Sequence, residues 1–90
     1  SLALSPNPAT RNVRFALTLP QAGTAELAIF DLSGRRVATP LRGAVDAGVT
    51  NLDWALQRDD GGRVEPGVYF ARVEALGRAS VARVSARSTP

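Results

Sequence analysis

Asp53, Asp59 and Asp60 are the only acidic cluster in the sequence, and Asp59-Asp60-Gly61-Gly62 is the one run that could be imagined as a calcium loop. A loop of the EF-hand type needs ligands at alternating positions and a closing Glu. This run has neither. Asp and Gly in a long polar connection are more simply turn formers, because an Asp side chain bonds its own backbone two residues on and Gly accepts positive φ. Asp53 stands in an alternating strand pattern and points the opposite way from Trp54, so it is expected to be a solvent-facing or turn-satisfying carboxylate. Ser33-Gly34-Arg35-Arg36 and Gly61-Gly62-Arg63 suggest phosphate cradles, but neither follows a strand and opens a helix, the context that aims several backbone N–H groups at one anion. The chain has no His and no Cys, so the commonest general base and the commonest transition-metal ligands are missing. No Ser has a His or Lys partner, and no carboxylate pair has a spacing that implies acid–base work. The expectation is a non-catalytic chain with no metal or cofactor site.

All eleven basic residues are Arg, and Ala occupies fifteen positions, which suggests a GC-rich coding bias more than a phosphate-binding surface. Net charge is only +3, with the arginines spread along the chain among eight carboxylates. A nucleic-acid binder would gather them in one stripe beside stacking aromatics, so no nucleic-acid partner is expected. Neither a basic leader nor a long apolar run is present, and no membrane insertion is expected. The chain therefore reads as a mature product or as a module of a larger protein. Ninety residues make one domain, spanning 1–90, with a modest core in which every large apolar side chain matters.

The elements that must position these residues centre on Leu52 to Val73. Leu52, Trp54 and Leu56 alternate with polar or small residues; then Gln57 to Gly67 is polar and turn-rich; then Val68-Tyr69-Phe70-Ala71-Arg72-Val73 is β-branched and aromatic. The pattern predicts two strands joined by an 11-residue polar loop, a long hairpin holding the only Trp, the only Tyr and one of three Phe. These aromatics are expected to supply much of the core, with the Tyr69 hydroxyl finding a backbone partner.

The rest of the chain is also strand-like. Leu2 and Leu4 alternate, and Ser5-Pro6-Asn7-Pro8 is expected to stop any regular ladder at a corner or edge exit. Asn12 to Leu19 places Val13, Phe15, Leu17 and Leu19 on one face, and Thr24 to Phe30 turns Ala25, Leu27 and Ile29 inward. Seven residues between two Gly-containing turns are short for a helix despite the Ala and Glu content. Asp31-Leu32-Ser33-Gly34 is a tight turn, Arg35 to Leu41 a weaker strand broken at Pro40, and Gly43 to Gly48 a further turn region leading to the Trp54 strand. Ala79 to Ala86 alternates Val81, Arg83 and Ser85 against Ala82, Val84 and Ala86, and Ser88 to Pro90 is expected to fray. About seven short strands and no helix predict an all-β fold, an immunoglobulin/fibronectin-III-like antiparallel β-sandwich, with an open barrel as the alternative.

Six motifs occur in order over about residues 2–87: Pro6-Asn7-Pro8, Leu19-Pro20, the Asp31 to Val37 hairpin, Trp54, Asp59-Asp60-Gly61-Gly62-Arg63-Val64, and Gly67-Val68-Tyr69-Phe70. In this the chain resembles the FlgD-like immunoglobulin module, seen also as the C-terminal sorting domain of type IX secretion cargo. The resemblance implies a β-sandwich at the C-terminus of a larger exported bacterial protein, secreted or held at the cell surface. It implies recognition by secretion machinery or a surface assembly protein, with an upstream domain of the same polypeptide as the other partner. It also allows a structural or assembly role, as a hook-cap-like scaffold or a spacer on a secreted hydrolase. A carbohydrate-binding sandwich is a further alternative; it requires exposed aromatics on one face, and Trp54 is the residue that discriminates it. A receptor that reads unrelated cargo must read the folded module, so the candidate surface is Val81, Arg83, Val84 and Arg87 on the last strand, with Pro6, Asn7 and Pro8 as a second patch. Arg83 and Arg87 could pair with acidic receptor groups or anionic outer-leaflet sugars, or could serve only to keep an edge strand from aggregating.

Overall fold

A computed structural model describes residues 2–8 and 12–86. Seven strands form two antiparallel sheets: β1 (Ala3–Pro8), β2 (Val13–Leu19), β3 (Gly23–Phe30), β4 (Arg36–Val45), β5 (Gly48–Trp54), β6 (Gly67–Ala75) and β7 (Arg78–Ala86). The first sheet has the order β1-β2-β5 and the second β4-β3-β6-β7. This is the expected β-sandwich. In a constant-type immunoglobulin domain the fourth strand joins the sheet of the first, second and fifth. In this chain it pairs with β3 in the other sheet.

Period-two patterning explains the core. Val13, Phe15, Leu17 and Leu19 of β2 are at most 1% exposed, and face Leu27 and Ile29 of β3 and Ala71 and Val73 of β6 across the sandwich. Segment 24–30 is strand, as its shortness and its Ile29-Phe30 ending predict.

Three expectations are corrected. First, Ser5 to Pro8 does not stop the ladder: β1 stays in register with β2 from Ala3↔Thr18 to Pro8↔Val13. Residues two apart in a strand direct their N–H groups to the same edge, so the donors missing at Pro6 and Pro8 fall together on the side away from β2. Second, Pro40 does not end β4, which continues to Val45. Leu27 pairs with Leu41 and Ile29 with Ala38, so Thr39 and Pro40 together oppose Ala28 in a bulge on an edge strand, where a missing donor is tolerated. Third, Leu52 to Val73 is no hairpin. β5 and β6 lie in different sheets, and the connection between them crosses the sandwich. A polar loop of this length suits either connection, so loop length carries no information about the sheet change.

The β6–β7 hairpin turns through Leu76 (φ 56°) and Gly77 (φ 71°), the two positive values that a type I′ turn requires. Leu76 is an unusual choice for that conformation. Its side chain packs against the core, and its Cδ2 would lie 2.7 Å from a Cβ placed on Gly23. Apolar contact thus offsets backbone strain, and Gly23 leaves the room for it.

Candidate functional site

The crossing connection is built on Trp54 and Tyr69. Their rings meet edge to face, with centroids 6.2 Å apart and planes at 73°, and both residues are buried. Trp54 Nε1 donates to the Gln57 carbonyl at 2.9 Å, and the Tyr69 hydroxyl donates to the Glu65 carbonyl at 2.6 Å. The second bond has the form of the tyrosine corner of immunoglobulin-like domains, a Tyr at the start of the sixth strand bonded back to the incoming backbone. The loop between them is only partly polar in use. Leu56 and Val64 turn into the core, and Val64 N–H donates to the Leu56 carbonyl at 2.9 Å.

Burial pushes the Tyr69 phenol above its ordinary value, the carboxylates of Glu65 and Asp31 push the same way, and Arg58 opposes them. The folded-state value therefore lies above the unfolded one. The linked stability is fully present below the ordinary tyrosine range and is lost as pH rises through the folded value. Tyr69→Phe is expected to cost about 1–2 kcal/mol, through one lost hydrogen bond and a stranded carbonyl. It should also remove this residue's share of alkaline destabilisation. Urea titrations of both proteins at neutral pH and above pH ~10 check both effects.

The three carboxylates of the candidate cluster are already occupied. Asp59 Oδ1 accepts from Thr39 N–H at 3.0 Å, and Asp59 N–H donates to the Val37 carbonyl at 3.1 Å. These bonds fasten the loop along the outer edge of β4 and shield it from strand addition. Asp60 accepts from Gly62 N–H at 2.9 Å, which is the turn-forming role expected of it. Asp53 pairs with Arg14 across strands at 3.0 Å on an exposed face, the solvent-facing position expected of it. Among the described residues no three His, Cys, Asp or Glu side chains converge as metal ligands.

Asp31 anchors the β3–β4 turn. Its Oδ1 accepts from Ser33 Oγ at 2.6 Å, Ser33 N–H at 2.9 Å and Arg35 N–H at 3.0 Å. The Ser33 hydroxyl, then the Arg35 N–H, hold its carboxyl below the ordinary carboxylate value. A depressed folded value means stability that is present above the unfolded pKa and lost as pH falls through the folded one. Asp31→Asn is accordingly expected to flatten the acid side of the stability–pH curve below pH ~4, read as urea midpoints against the parent chain.

Val81 is 59% exposed, and Arg83 is exposed beside it on β7. Val84 must be withdrawn: at 2% exposure it faces the core, because it has the opposite strand parity from Val81 and Arg83. Arg87 and the stretch Ser88 to Pro90 lie outside the described residues. Pro6, Asn7 and Pro8 take their places in β1 opposite Phe15, Arg14 and Val13, in the other sheet from Arg83. Trp54 is 4% exposed, so no sugar can stack on it.

Sequence reasoning missed a cross-strand row on the outer face of the four-stranded sheet. Arg36 pairs with Phe30, Phe30 with Phe70, and Phe70 with Arg83. Phe70, counted from sequence among the core aromatics, is instead 37% exposed on this face. The parity of Tyr69 against Phe70 signals one ring in and one out. Only strand register shows that Phe30 and two arginines join the outer one.

No family model matches the chain, and no curated protein matches it. Two solved structures from Porphyromonas gingivalis share its architecture. Dimeric latent PorU matches over 98% of this chain and 9% of its own, with a TM-score of 0.70 and 20% identity. PorZ, described as an essential bacterial surface component of the type-IX secretion system, matches over 96% of this chain and 11% of its own, with a TM-score of 0.59 and 24% identity. The chain thus spans about a tenth of either protein. At these identities the likeness shows the fold, a complete β-sandwich of the kind that forms one small part of each.

Proposed function

We propose that this chain is a non-catalytic β-sandwich module of an exported bacterial protein, acting as a type IX-like sorting or cell-surface attachment domain of the FlgD-like kind. The observation that carries the reading is the likeness, along nearly the whole chain, to a small part of a protein described as a surface component of the type-IX secretion system. The ordered motifs from Pro6-Asn7-Pro8 to Gly67-Val68-Tyr69-Phe70 support it independently. A close-packed core with Asp31 and Asp59 committed to backbone donors and Asp53 to an ion pair suits a surface that partners read. Secretion machinery or a surface assembly protein is the partner, and the protein acts outside the cell or on its surface.

Fusing residues 1–90 behind a reporter that carries a signal peptide, in a type IX-competent host and in a type IX-deficient one, tests this. The reporter is expected at the surface or in the medium of the competent host only. A reporter retained in the periplasm of both hosts would overturn the sorting role in favour of a scaffold or spacer.

A further inference from the structure

We propose that the outer face of the four-stranded sheet is the module's docking surface, and that its occupant is an acidic protein surface with an apolar centre. The inference rests on the reading of the chain as a binding module. It assigns that role to a different set of residues from the last strand alone.

One row of the face sets two aromatic rings on the central strands between arginines on the outer ones. Phe30, the last residue of β3, and Phe70 are cross-strand partners, and Val81 (59% exposed) lies diagonal to Phe70 on β7, opposite Arg72. An exposed ring and an exposed branched side chain on one sheet face are the anchors that interfaces favour. Arg36 and Arg83 close the two ends of the aromatic row. The Arg36 guanidinium lies 5.8 Å from the centroid of the Phe30 ring.

Charge chooses the occupant. Four arginines, Arg36, Arg42, Arg72 and Arg83, stand on this face against two glutamates, Glu26 and Glu74. Glu26 is shared by Arg36 and Arg42, at 3.3 and 2.9 Å, and Glu74 is taken by Arg72 at 2.7 Å. Arg83 makes no ion pair with any described residue. The excess is positive, and the planar fork of Arg83 suits a carboxylate in two-pronged pairing. A second copy of the same face would oppose like charges, which disfavours self-association. A neutral sugar would leave the arginine excess of this face unanswered, whatever ring it stacked on. A carboxylate-bearing protein surface satisfies both the rings and the cations.

The test is selection from a displayed random peptide library on the 90-residue chain, counter-selected against Arg83→Glu and, separately, Phe70→Ser. Peptides rich in Asp and Glu with apolar residues between them are expected. Their affinity should fall about tenfold or more on Arg83→Glu and weaken as salt is raised. Amide shifts in the labelled chain should cluster at Phe30, Phe70, Val81 and Arg83. Arg83→Glu is a surface change that leaves the urea midpoint in place, so the test does not depend on whether Phe70→Ser folds. Neutral or basic selectants, shifts elsewhere, equal binding by Arg83→Glu, or tighter binding at this face by the anionic polysaccharide dextran sulfate would each overturn the proposal. The export assay is separate. Loss of acidic selection with export intact sinks this surface and leaves the sorting role, whereas acidic selection without export does the reverse.

Discussion

Replacing Trp54 by Ala is expected to cost about 3–5 kcal/mol, which is most of the stability of a domain this small. Three losses add up at this position. The indole fills the end of the core where β5 leaves its sheet, and a cavity remains when it is removed. Its edge-to-face contact with Tyr69 is a pairing worth about 0.5–1.5 kcal/mol beyond the area buried. The Gln57 carbonyl also loses its donor just where the chain turns to cross between sheets. At about 4–8 °C per kcal/mol, the thermal midpoint should drop by tens of degrees. Trp54→Phe, which keeps apolar volume and loses the N–H, should fall between the two. Urea unfolding followed by circular dichroism measures all three proteins without the indole as a probe. A midpoint unmoved by Trp54→Ala would mean that the crossing connection is not held by this ring.

The second large effect is expected at Leu56, and it carries an internal control. Leu56 is 1% exposed yet has φ 59°, a left-handed conformation that costs a residue with a Cβ roughly 1–2 kcal/mol. Its carbonyl accepts from Val64 N–H, so the strained residue both closes the loop and plugs the core. Leu56→Ala removes the plug and keeps the strain, at an expected cost of about 2–5 kcal/mol. Leu56→Gly removes both. At an ordinary extended site Gly is the worse choice by about 0.5–1 kcal/mol, because its unfolded chain is freer. At this site the Gly variant should be equal to the Ala variant or more stable. If Ala is clearly the better of the two in parallel urea titrations, the residue does not hold a positive φ in solution.

These two positions show where reading the sequence succeeded and where it stopped. The seven-strand sandwich, the inward row from Val13 to Leu19, the buried Trp54 and the backbone-bonded Tyr69 are all legible from alternation and composition. Each depends on a residue's near neighbours, since a strand with one buried face repeats every two residues whatever its partner. The same local rule places Val81 and Arg83 outward and Val84 inward, so nearness along the last strand is no measure of shared surface.

Pairing is a different matter. That β5 and β6 belong to different sheets, that Pro40 sits in a bulge rather than at a strand end, and that Asp59 shields the edge of β4 all follow from contacts between distant segments. The row Arg36, Phe30, Phe70, Arg83 draws on four strands and exists only in their register. A one-residue slip in any of them would send its member to the core face. Which face of each strand turns inward is written in local alternation and in the cost of leaving apolar area in water. Which outward residues stand together depends on how strands separated along the chain align, and that alignment exists only in the folded molecule.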